Sequence, residues 1–152
     1  MLVTHTAADS ATKKLLIDLS AEPYVPDGLT LEVHQKPTGQ NVYFKWNVHH
    51  IKLVFGHGQK NRGRIHGHKL RIELANAQTL NANALDFLLA DTKHIPADWR
   101  ARIVCFWGTV YRRADGESCV RFLHWSGEEW RWGIFGLSIM FDETVTAAVL
   151  SQ

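Results

Sequence analysis

RIVCFWGTVYRRADGESCVRFLHWSGEEWRWGI, residues 102–134, decides the fold class. Arg102–Arg113 is dense in β-branched and aromatic side chains, which suit a pleated sheet surface. Ala114–Glu117 contains Asp115-Gly116, a strong hairpin signal. Ser118–Trp125 reads as the returning strand, Ser126–Glu129 as a second turn, and Trp130–Ile134 as the start of a third strand. The stretch therefore predicts a three-stranded antiparallel meander. In its first strand Ile103, Cys105, Trp107, Thr109 and Tyr111 alternate with Val104, Phe106, Gly108 and Val110. Both faces are apolar, so this strand is expected to be central and covered on both sides. The turn places Cys119 opposite about Arg112 and not Cys105, so no disulfide is expected.

Just upstream, NANALDFLLA (81–90) predicts a helix. Asn83 and Asp86 resemble a capping box, and Leu85, Leu88 and Leu89 share one face for packing on a sheet. HKLRIELAN (68–76) predicts a shorter helix, and IPADW (95–99) a turn or short helix with Pro96 near its start. Toward the N-terminus, Lys14–Leu19, Leu29–His34, Val42–Trp46 and Ile51–Phe55 read as extended pieces. Breaks at AEPYVPDG and KPTGQN separate them. FDETVTAAVL (141–150) fits either a strand or a helix. Residues 1–12 are expected to be a flexible tail, and 13–152 a single α+β domain. That domain combines an antiparallel sheet, the C-terminal meander, and one or two short helices packed on it.

A chain of 152 residues with 45% hydrophobic and 21% charged residues is globular in composition. No apolar run reaches membrane-spanning length, and MLVTHTAADSATKK lacks the pattern of a secretory signal. A cytoplasmic protein without membrane contact is expected, and two cysteines agree with that.

The net charge is only +2, but it is segregated. No Asp or Glu occurs between Val33 and Ile72, a stretch carrying Lys52, Lys60, Arg62, Arg64, Lys69 and Arg71. These are the candidate phosphate contacts for RNA or DNA. Lys60, Arg62 and Arg64 recur every second residue, so an extended loop would point all of them one way. Gly56, Gly58, Gly63 and Gly67 allow close backbone approach to an anion. Tyr43, Phe44, Trp46 and Phe55 could stack on unpaired bases. The competing reading is a solvated loop beside core aromatics. No helix-turn-helix, zinc-finger or RNA-recognition signature accompanies the charges.

TLNANALDFLLA (79–90), HIPADW (94–99), FWGTVYRR (106–113) and CVRFLHWSGEEWRWG (119–133) resemble a pattern recurring in a family of small bacterial hypothetical proteins. The likeness spans roughly residues 13–140 and includes GQKNRGRIHGHKLRIELA (58–75). It implies a shared fold and no activity. This chain departs from the pattern in carrying His66 and His68, so those histidines do not define the family.

Other chemistries are weaker. His49, His50, His66 and His68 suggest a metal-dependent hydrolase, with two imidazoles on one side of a strand at His66-Gly-His68. No acid stands nearby in sequence to orient an imidazole, and the adjacent cations repel a divalent metal. Exposed histidines are the expectation, with no metal or other cofactor. Ser118, Cys119 and His124 form no defensible triad. The sequence thus favours a non-enzymatic protein binding an anionic partner through residues 33–72. The alternative is a protein-binding accessory or inhibitor module using Trp125, Trp130 and Trp132.

Overall fold

A computed structural model describes residues 15–37 and 43–151. The expected flexible tail, and most of the turn expected at 36–41, lie outside the described residues. In chain order the strands are β1 (Leu16–Asp18), β2 (Leu29–His34), β3 (Tyr43–Lys45), β4 (Ile51–Val54), β5 (Ile65–His66), β6 (Ile103–Cys105), β7 (Thr109–Arg113), β8 (Ser118–Trp125), β9 (Trp130–Gly136), β10 (Met140–Phe141) and β11 (Val145–Leu150). The helices are α1 (Gly67–Glu73) and α2 (Ala82–Ala90), with 3-10 turns at Val48–His50, His57–Gln59, Thr92–His94 and Ala97–Ala101. The fold is α+β.

The main sheet runs β2-β7-β8-β6-β11-β4, with β9 on the other edge of β8. β7, β8 and β9 form the expected meander. Its first turn closes with Arg113 N–H donating to the Glu117 carbonyl at 2.8 Å, and Gly116 takes φ +90°. Glycine adopts that left-handed conformation without a Cβ clash. The register differs by one residue from expectation: Cys119 faces Tyr111, and Arg112 faces Ser118. Cys105 and Cys119 are both buried and free, and they lie in separate core clusters.

The run 102–113 is two strands, not one. Cys105 pairs with Phe122 and Tyr111 with Cys119, so six steps on one strand face three on the other. The surplus bulges out at Phe106–Gly108. Gly108 is required there, because a Cβ would sit 2.8 Å from the Asn81 Cα. Its N–H donates to Leu80 O at 2.9 Å, and the Ala82 N–H donates to Thr109 Oγ1 at 2.8 Å. The bulge thus docks the start of α2 on the sheet. The helix is capped by Asn81, whose side chain accepts from Asn83 N–H at 3.1 Å, and not by Asn83 with Asp86.

β11 settles the ambiguous C-terminal segment as a buried strand, parallel to β6 and antiparallel to β4. That parallel pair makes the sheet mixed. One face of the sheet carries Val104 and Leu123 against Leu85 and Leu88 of α2, with Trp46 and Trp99. The other carries Cys105, Val110 and Val120 against Leu70 of α1, with Trp107 and Phe141. Each fully buried leucine contributes about 2 kcal/mol.

A strap, residues 18–28, crosses the first face. Asn81 Nδ2 donates to Leu19 O at 2.8 Å, and Asn83 Nδ2 to Asp18 O and Ala21 O at 3.0 and 2.9 Å. Tyr111 Oη donates to Tyr24 O at 2.8 Å. His34 Nε2 lies 3.1 Å from Ala21 O and must carry the proton, so Nδ1 accepts from the Thr109 hydroxyl. Beneath Tyr24, Arg121 is 1% exposed and bound to both carboxylate oxygens of Asp86 at 2.9 and 3.1 Å. Its guanidinium lies 4.3 Å from the Trp132 ring. The motif residues Asn81, Asn83, Asp86, Thr109, Tyr111 and Arg121 are thus engaged in fastening the fold.

Candidate nucleic-acid interface

The basic loop leaves edge strand β4 and ends at β5. It is not extended. His57–Gln59 forms a 3-10 turn, and Gly63 N–H then donates to Lys60 O at 3.0 Å, closing a tight turn. Asn61 and Arg62, its central residues, take φ +57° and +64°. The spacing of Lys60, Arg62 and Arg64 therefore does not align them on one side of a strand. Each is exposed.

This turn has a buried anchor. Gln59 is 1% exposed. Its Nε2 donates to Asp142 O at 2.6 Å and Val145 O at 2.7 Å, and its Oε1 accepts from Gly56 N–H at 2.7 Å. Both amide N–H groups and the amide oxygen are engaged inside the protein. A Cβ at Gly63 would fall 2.1 Å from Gly58 O, so the two limbs of the loop touch through bare backbone. The loop is a braced projection.

Acids absent from segment 33–72 arrive from elsewhere in the chain. Glu143 Oε2 accepts from Arg62 N–H at 3.4 Å, and Glu73 Oε2 from His57 N–H at 2.9 Å. Asp142 is held below the usual carboxylate range, chiefly by the Thr144 hydroxyl and N–H, and Arg64 adds to that effect. Arg71 is half-exposed and already ion-paired within the protein. It donates to Glu32 at 2.6 Å, as does Arg112 at 2.9 Å. The Ser118 hydroxyl also donates to Glu32 at 2.6 Å. Burial pushes the Glu32 carboxyl up, but these donors overcome it and hold it at about 2. Lys69 is exposed on α1 and Lys52 on β4. Lys52, Lys60, Arg62, Arg64 and Lys69 make no ion pair among the described residues.

Of the proposed stacking rings, Trp46 is a core residue, 7% exposed, with Nε1 donating to His94 O at 3.0 Å. Phe44 packs against the same core. Tyr43 is exposed, and Phe55 is half-buried beneath the Arg102 guanidinium, 5.5 Å from its ring. Arg102 is a cation that the sequence reading missed, because it lies outside the acid-free segment.

The histidines do not form the arrangement expected of a strand. β5 ends at His66, α1 begins at Gly67, and the His66 and His68 rings stack with centroids 5.5 Å apart. His49 and His50 stand exposed in the 3-10 turn before β4. Among the described residues no group of three or more His, Cys, Asp or Glu gathers as a metal site.

The tryptophans divide. Trp125 and Trp130 meet across the β8–β9 turn, with centroids 5.3 Å apart, beside an open groove that also involves Leu89, Ile95 and Arg100. The Arg100 guanidinium lies 3.9 Å from the Trp125 ring. Trp132 instead covers Arg121 and touches Tyr24.

No family model, curated protein or solved structure matches the chain. No helix among the described residues is long and apolar enough to cross a membrane. Function must therefore be argued from the site itself.

Proposed function

We propose that the protein is a non-enzymatic binding module that holds the phosphate backbone of RNA or DNA on the Gly56–Arg64 loop. The cations Lys60, Arg62 and Arg64 make the primary contacts, and Lys52 and Lys69 extend the field. The observation that carries this reading is the buried Gln59 amide beneath a turn whose exposed cations form no ion pair among the described residues. A solvated tip needs no such anchor, and left-handed non-glycine residues persist only where surroundings enforce them. A preformed cationic projection avoids an ordering cost on binding.

The test is anisotropy of labelled single- and double-stranded oligonucleotides across a salt series. Each phosphate contact should steepen the fall of log affinity per decade of salt by about 0.7–0.9. Replacing Lys60, Arg62 and Arg64 together by Ala should lower the slope by about three such increments and weaken binding at every salt concentration. An unchanged slope would refute the proposal.

A second reading has one observation in its favour, the groove that brings Trp125 and Trp130 together. It makes this end of the sheet a protein-docking surface, with Trp132 outside it. A partner bound there would show little salt dependence and would be lost in Trp130→Ala. Retained affinity in that variant would remove this reading.

A further inference from the structure

We infer that the basic loop carries a phosphate seat already occupied by the protein's own Glu143 carboxylate, which a nucleic-acid phosphate must displace. The inference rests on the nucleic-acid reading above and adds how that site is controlled. The turn at Lys60–Gly63 holds Arg62 at φ +64°, and its N–H meets Glu143 Oε2 at 3.4 Å. Successive main-chain groups in such turns make concavities suited to anions. Here the Arg62 N–H already meets an oxyanion from the protein, while the Gly63 N–H closes the turn on Lys60 O at 3.0 Å.

The position of that carboxylate is built. Gln59 ties the loop to the carbonyls of Asp142 and Val145, the residues bracketing Glu143 and Thr144. Thr144 N–H and hydroxyl both donate to Asp142 Oδ1, at 2.9 and 2.6 Å, fixing the 142–144 turn. Glu143 is exposed, and its carboxylate forms no ion pair among the described residues. It is therefore a weakly held occupant on a rigid mount. A phosphate oxygen can replace it and gain the flanking Lys60, Arg62 and Arg64 charges. Glu143 swings to water at little cost because its side chain is already solvated.

The experiment compares wild type, Glu143→Gln and Glu128→Gln by anisotropy of a labelled oligothymidylate at low salt. Glu128 lies on the β8–β9 turn, and its replacement changes net charge by the same amount. Glu143→Gln should bind about four-fold tighter, the Coulomb repulsion between a carboxylate and a phosphate roughly 5 Å apart in water. Glu128→Gln should match wild type. The gain should shrink at high salt, where the Debye length is short and the repulsion is screened. Equal tightening in both variants would mean a net-charge effect and overturn the inference. Wild-type affinity in Glu143→Gln, while the triple Lys60/Arg62/Arg64 variant loses binding, would overturn the seat and leave the nucleic-acid reading standing. No binding by either wild type or Glu143→Gln would overturn both. Inorganic phosphate added as competitor should displace the strand poorly. Displacement at equal phosphate concentration would make a free phosphate the occupant and overturn the polymer assignment.

Discussion

Replacing Asp86 by Ala removes the only ion-pair partner of Arg121 among the described residues, while the guanidinium stays 1% exposed. Arg121 Nε already has no hydrogen-bond partner, and the variant removes the carboxylate that accepts from both Nη groups, leaving the neutral Tyr111 hydroxyl as the remaining polar contact. Breaking a fully buried pair costs about 3–5 kcal/mol. The Asp86 side chain is 36% exposed, so water can enter the vacated space and reduce the loss. The rings of Trp132 and Tyr24, at 4.3 and 5.2 Å, also retain their attraction for the cation. The expected destabilisation is about 2–3 kcal/mol. In a chain of this size that lowers Tm by roughly 5–10 °C. Urea unfolding followed by tryptophan fluorescence measures it, with an unchanged slope against urea showing that only stability moved. Adding Arg121→Met to Asp86→Ala removes the stranded charge and should recover all but about 1 kcal/mol. A single variant within about 1 kcal/mol of wild type would refute the reasoning. So would a double variant as unstable as the single.

Glu32 titrates at about 2 in the folded protein, against 4.5 ordinarily. A depressed carboxylate stabilises the fold above its unfolded pKa, and that contribution disappears as pH falls from about 4.5 to 2; here it is of order 3 kcal/mol. Glu32→Gln should flatten the loss of stability across that window in acid titrations followed by circular dichroism, and an unaltered acid limb would contradict the assignment. Gln59→Leu leaves the Asp142 and Val145 carbonyls without their side-chain donor and should cost about 2–3 kcal/mol. Hydrogen exchange at residues 56–64 should accelerate, and protection at wild-type levels would show that the amide is no anchor. Burial raises the Cys105 and Cys119 thiol pKa values. Neither should react with a disulfide reagent at neutral pH until denaturant is added, and prompt labelling of the folded protein would count against the buried placement.

Local pattern revealed the pieces whose signal lies within the element itself or in its own turn. The Leu29–His34 run marked β2, although Leu31 and Val33 are exposed and Glu32 lies inward; the Asp115-Gly116 turn marked the β7–β8 hairpin, and the leucine face marked α2. Contacts with long sequence separation stayed hidden. VTAAVL carries no polar alternation because β11 is covered on both faces, so a buried strand and a buried helix looked alike. The bulge at Phe106–Gly108 depends on the approach of Leu80–Asn81. The candidate site was legible as charge but not as shape. Nothing in GHGQKNRGRIHGHK announces that Gln59 is buried or that Glu143 meets Arg62, because both contacts join segments about eighty residues apart. The same blindness made Arg71 look available when Glu32 holds it.

The motif residues and the proposed interface therefore do different work, and their variants separate the two. Asn81, Asn83, Tyr111 and the Asp86–Arg121 pair hold the strap and the start of α2 to the sheet; the side chains of Lys60, Arg62 and Arg64 form no ion pair among the described residues. A chain can preserve the first set for stability while varying the second for affinity. Asp86→Ala, studied below its reduced Tm, should bind an oligonucleotide with the wild-type salt slope, because the folded fraction presents the same loop. The triple loop variant should melt within about 1 kcal/mol of wild type, because exposed unpaired cations contribute little to stability. A loss of salt slope in Asp86→Ala, with the chain still folded, would place the binding surface on the strap face and not on the loop.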